Sequence, residues 1–60
     1  MPMLQKFFRA NDVVLAGILE QRVSEDTITI AMTENFITSE NSPDGKIYRI
    51  LPRGKDYLYN

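Results

Sequence analysis

Hydrophobic positions follow two rhythms along this chain, and one stretch obeys both. In MLQKFFRA, residues 3–10, Leu4, Phe7 and Phe8 recur at helical intervals among good helix formers, which predicts an N-terminal helix. Asn11 and Asp12 suit a helix N-cap. A second helix is expected through VVLAGILEQ, residues 13–21, burying Val14 or Leu15 together with Ile18 and Leu19. The β-branched Val13 and Val14 weigh against it, as does Gly17, which costs about 1 kcal/mol relative to Ala. The ambiguous stretch is SEDTITIAMTENF, residues 24–36. Thr27 through Ala31 alternate polar and apolar as in a half-buried strand. Yet Ser24, Ile28, Ala31, Met32 and Phe36 also share one side of a helix. Ser24 as N-cap, with Glu25 and Asp26 in a first turn whose dipole favours acids, tips the balance toward helix.

The end of the chain has a plainer pattern. FITSEN and KIYRIL are β-prone and flank SPDG. Pro43 fits the second position of a type I turn and Asp44 the third, while Gly45 supplies the positive φ that closes a hairpin with a bulge. Pro52 then opens a short last helix, RGKDYLY, where its missing N–H costs nothing. Tyr57 and Leu58 of that helix can fold back on the core.

Size changes the picture. Sixty residues make one domain, residues 1–60, and a domain of that size buries only about 60 % of the surface its unfolded chain exposes. With no Cys and no His, disulfides and the usual zinc sites are excluded. Stabilisation by self-association or by docking on a partner is therefore expected. The longest apolar run, residues 13–19, falls far short of the roughly 20 residues that cross a bilayer. The N-terminus lacks the order of a signal peptide. A soluble, cytoplasmic protein is expected, and the compact length associates it with phage or mobile-element genes.

Charge is segregated along the chain. Residues 1–23 carry a net +1, residues 24–44 a net −5 with no Lys or Arg, and residues 45–60 a net +3. Sign segregation of this kind bears on partners rather than on fold. Catalysis finds no support. Ser24 has no base at a recognisable spacing, and PDGK and RGK lack the Gly-rich strand-to-helix run of a phosphate loop. Neither a cofactor nor a small-molecule substrate is expected.

Set in order, these pieces resemble a known family. VSEDTITIAM resembles the second half of a helix-turn-helix, in which a Val-Ser turn caps a helix and a Thr-Ile pair follows. The matching residues are Val23, Ser24, Thr27, Ile28 and Ala31. ENFITSENSPDGKIYRIL looks like the end of a recognition helix, its exit and a β-hairpin wing. YRILPRGKDYL is similar to the close of many small winged-helix regulators, through Tyr48, Ile50, Pro52, Gly54 and Leu58. The resemblance covers about residues 12–58. It implies an α+β winged helix-turn-helix fold of three helices, a two-stranded wing and a short C-terminal helix. Against the family pattern, the turn before Val23 reads about two residues longer and lacks its Gly. Asn35 replaces the exit Gly, and Leu51 replaces the Thr that would cap the last helix.

The function implied is DNA binding by a dimeric transcription regulator, with the helix from Ser24 in the major groove. Ser24, Thr27, Thr29 and Thr33 would meet bases or phosphates. Arg22, Lys46, Arg49, Arg53 and Lys55 would meet phosphates, with Lys6 and Arg9 as further cations. The outer helix face, however, shows Glu25, Asp26, Thr29, Ile30, Thr33 and Glu34. It carries no cation, and cations are what phosphate contact needs. A second expectation is therefore a winged-helix protein-interaction module, an adaptor or inhibitor of a DNA-binding or transcription protein. It would present Glu25, Asp26 and Glu34 around an apolar Ile30. The partner is thus DNA or a DNA-associated protein, alongside a second copy of the chain. A third reading keeps the β-prone runs extended. Strands through residues 13–23, 27–39 and 46–52 after an N-terminal helix would form a β-meander, similar to a small Sm-like or SH3-like barrel.

Overall fold

Among the described residues seven elements follow one another: α1 (Pro2–Phe8), β1 (Val13–Leu15), α2 (Ala16–Arg22), α3 (Glu25–Thr33), β2 (Ile37–Ser42), β3 (Gly45–Ile50) and α4 (Pro52–Tyr59). The computed structural model describes residues 2–9 and 11–59. Together they form a small α+β domain in which helices pack on an open, three-stranded antiparallel sheet of order β1-β3-β2. Ala10, the end of the expected first helix, lies outside the described residues.

The stretch from 24 to 36 resolves as helix. Ser24 adopts an extended N-cap conformation, and its side chain accepts from the backbone N–H of Thr27. The far end closes just as locally. Asn35 takes φ 61°, the N–H of Phe36 reaches the carbonyl of Ala31 at 2.8 Å, and the N–H of Asn35 reaches Met32 at 3.1 Å. That pair of bonds is a Schellman closure, which needs a left-handed residue where Asn35 stands. Two good ends and a buried stripe of Ile28 and Ala31 outweigh the β preference of five consecutive residues. The meander is thereby corrected: residues 25–33 are helical, strand structure in 13–23 is confined to Val13–Leu15, and the sheet keeps two open edges. Met32 is also corrected. It is 38 % exposed rather than buried.

The second expected helix is corrected as well. Val13, Val14 and Leu15 are extended and pair antiparallel with Arg49, Tyr48 and Ile47. The Ile50 N–H continues the ladder to the Asp12 carbonyl at 2.9 Å. β-branched residues suit a pleated strand better than a helix, and here β3 offers them a partner. Helix α2 consequently starts at Ala16, not after Asp12. Its buried side is Ala16 and Leu19, while Leu15 and Ile18 stay 46 % and 48 % exposed. Only Val23 and Ser24 connect α2 to α3, a shorter turn than the sequence suggested.

Strands β2 and β3 pair from Ile37↔Ile50 to Ser42↔Gly45. Pro43 and Asp44 make the turn, Gly45 takes φ 118°, and the Ser42 hydroxyl donates to the Gly45 carbonyl at 2.7 Å. One core unites Leu4 and Phe8 of α1 with Val14, Leu19, Val23, Ile28, Phe36, Ile37, Tyr48, Ile50 and Leu58. Helix α4 seats against the α3–β2 junction. The Leu51 N–H donates to the Phe36 carbonyl at 2.9 Å, and Tyr57 stacks on the Phe36 ring with centroids 4.5 Å apart. Gln5 Nε2 donates to the Leu58 carbonyl, tying α1 to the C-terminus.

Candidate functional site

Helix α3 and the β2–β3 hairpin carry most of the residues singled out from the sequence. At 100° per residue, burying Ile28 and Ala31 turns Asp26, Thr29, Ile30 and Thr33 to the opposite side. All four are exposed, and Ile30 is 52 % so. Glu25 and Glu34 stand exposed at the two ends. Ser24 and Thr27 act locally on the helix start. Their hydroxyls lie 2.8 Å apart at the cap, and Thr27 is half-buried.

The cations nominated for phosphate are each held by an acid, with one exception. On the hairpin, Arg49 Nε donates to both Glu40 oxygens at 2.9 and 3.2 Å. Lys46 Nζ lies 3.8 Å from Glu20 and 5.1 Å from the centre of the Tyr48 ring. On α4, Arg53 reaches Glu34 at 3.4 Å and sits over the Phe36 ring at 5.8 Å. Lys55 reaches Asp12 at 3.2 Å. The exception is Arg22, exposed at the end of α2. All four pairs are solvent-exposed, so each contributes between about 0 and 1 kcal/mol and yields readily to a competing anion.

Between α3 and β3 runs a groove of about 330 Å³ lined by Glu20, Val23, Glu25, Ile28, Thr29, Met32, Lys46 and Tyr48. Its floor is apolar and its rim carries two carboxylates and one ammonium. Glu20 is the organising residue, since it also accepts from the Tyr48 hydroxyl at 3.2 Å. Reading the sequence missed both Glu20 and Met32. Met32 borders the groove instead of the core, and Glu20 gains its role only through Tyr48 and Lys46, which are distant in the chain.

Among the described residues no group of three or more acids is placed to hold a metal ion, and no helix is long and apolar enough to cross a membrane. No protein-family model, no curated protein and no solved structure matches this chain.

Proposed function

We propose that this chain is a winged-helix domain that binds duplex DNA, with α3 in the major groove and the β2–β3 hairpin as the wing beside it. The observation that carries the reading is the element order. Three helices, the last two joined by a tight turn, then a hairpin and a short C-terminal helix follow the order expected of such a domain, and one face of α3 is left bare. That face offers Thr29 and Thr33 hydroxyls and the Ile30 side chain to base edges, and Asp26 as an acceptor for a cytosine amine. With nine residues, α3 is about 14 Å long at 1.5 Å per residue. Arg22, Lys46, Arg49, Arg53 and Lys55 supply phosphate contacts. Four of them exchange an internal acid for a phosphate, which weak exposed pairs permit.

Fluorescence anisotropy on a pool of random-sequence duplexes tests this. Binding at low salt that weakens steeply as salt rises, and that falls on replacing Thr29 and Thr33 by Ala, supports it. No binding at low salt and micromolar protein removes it.

A second reading draws on one further observation. The outer face of α3 contains no cation, and Glu25 and Asp26 join no ion pair among the described residues. An exposed Ile30 ringed by Thr and acid residues suits the basic surface of a DNA-binding protein at least as well as DNA. Capture from lysate with and without nuclease separates the two. A partner retained after nuclease treatment and lost on Ile30→Asp favours protein.

A further inference from the structure

Helix α2 breaks local rules on the side it leaves bare. Leu15 occupies its N-cap position and makes no side-chain cap bond, where Ser, Thr, Asp or Asn would satisfy an orphan N–H. Gly17 follows inside the helix, the poorest helix former apart from Pro. Nothing in the chain requires that glycine, since a Cβ built there meets no atom within 4 Å. Both residues line an open groove of about 420 Å³ with Ile18, Glu20, Gln21, Asp44 and Lys46. Two unfavourable choices without an internal benefit, in one open groove beside the bare Ile18 side chain, mark a place where function overrides folding.

We infer that this face is an interface between two copies of the chain, packed α2 against α2 in antiparallel fashion across Leu15, Gly17 and Ile18. Charge selects a second copy as the occupant. The groove holds Glu20 and Asp44 against Lys46, so it is net acidic, and Asp44 joins no ion pair among the described residues. Arg22, two turns beyond Leu15 at the other end of α2, is likewise unpaired among them. An antiparallel two-fold arrangement lets each Arg22 face the groove of its neighbour, which Asp44 lines, and repeats the contact by symmetry. The missing side chain at Gly17 lets the two helices approach closely. With Arg22 engaged by the neighbouring copy, the phosphate contacts of the proposed function fall to Lys46, Arg49, Arg53 and Lys55.

Sedimentation velocity of the full chain over a concentration series, with circular dichroism and melting of each variant, tests it. The wild type is expected to pass from monomer to dimer below hundreds of micromolar. Gly17→Gln adds bulk without charge and improves helix propensity. It should leave the dichroism spectrum intact, leave the dilute melting temperature equal or higher, and weaken the dimer about tenfold or more. Arg22→Asp and Asp44→Arg should each weaken it, and combining them should restore it. A wild type that stays monomeric throughout overturns the inference. So does a dimer indifferent to Gly17→Gln, or one that the double reversal fails to rescue while both singles fold normally.

Discussion

Gly54 shows how one residue fixes the seat of α4. A Cβ at that position falls 2.1 Å from the Phe36 carbonyl oxygen and 2.9 Å from its carbon. Both are backbone atoms at the closure of α3, and neither can move without losing the bond from Leu51. Gly54→Ala is therefore expected to cost about 2–3 kcal/mol, a large share of what a core this small supplies. Urea unfolding followed by circular dichroism measures it, and an unchanged midpoint would mean that α4 is not seated on Phe36. Asn35 makes a milder case. It stands at φ 61°, where side chains other than Asn and Asp lose about 1–2 kcal/mol. Asn35→Ala should destabilise by about 1 kcal/mol while Asn35→Gly should not. At this scale the sequence was legible at Ser24, Gly45 and Pro52, which each announce a backbone conformation through their own chemistry, whereas Asn35 read only as a departure from the family's exit Gly. The tight approach at Gly54 was not, because it depends on Phe36, eighteen residues away.

The elements were legible where their ends carry chemical signals and not where tertiary pairing decides. The α3 helix and the β2–β3 hairpin have such signals at both ends. Residues 12–15 do not. Asn11 and Asp12 look like caps, and only the availability of β3 makes Val13–Leu15 a strand. Starting α2 at Ala16 then rotates the apolar set, so that Ala16 and Leu19 are buried and the expected core residue Ile18 is bare. Leu15 reports the consequence. As an uncapped N-cap 46 % exposed, it is expected to be a liability in the isolated chain. Leu15→Asp should cap α2, favour its dipole, and raise the unfolding free energy of dilute protein by about 1 kcal/mol. The same change puts a carboxylate on the proposed dimer face, so association should fall as monomer stability rises. Those opposite signs separate a surface kept for contact from one that is merely exposed.

For the whole molecule the deciding quantity is where charge sits. The sequence separates into an acidic middle and basic flanks, but in space the cations of residues 45–60 meet acids from both: Glu34 and Glu40 of the middle hold Arg53 and Arg49, while Asp12 and Glu20 of the N-terminal flank hold Lys55 and Lys46. Sequence order alone could not reveal these pairs, because three of them join distant parts of the chain. They bear directly on the two readings of α3. Replacing the four acids by their amides, Asp12→Asn, Glu20→Gln, Glu34→Gln and Glu40→Gln, removes four negative charges and turns a net −1 into +3. Folding stability should change by no more than about 1 kcal/mol per exposed pair. DNA affinity must rise, since each further phosphate contact steepens the salt dependence by about 0.9 in log–log slope. What distinguishes the readings is the starting point. If α3 reads DNA, the parent chain already binds, and the amide variant binds the same selected sequences more tightly. If α3 docks on protein, the parent is inert toward duplex DNA, and the variant acquires only a weak attraction indifferent to sequence. Competition between a selected duplex and a scrambled one, run with both proteins, decides it. Specificity has to come from Asp26, Thr29, Ile30 and Thr33, which the four substitutions leave untouched.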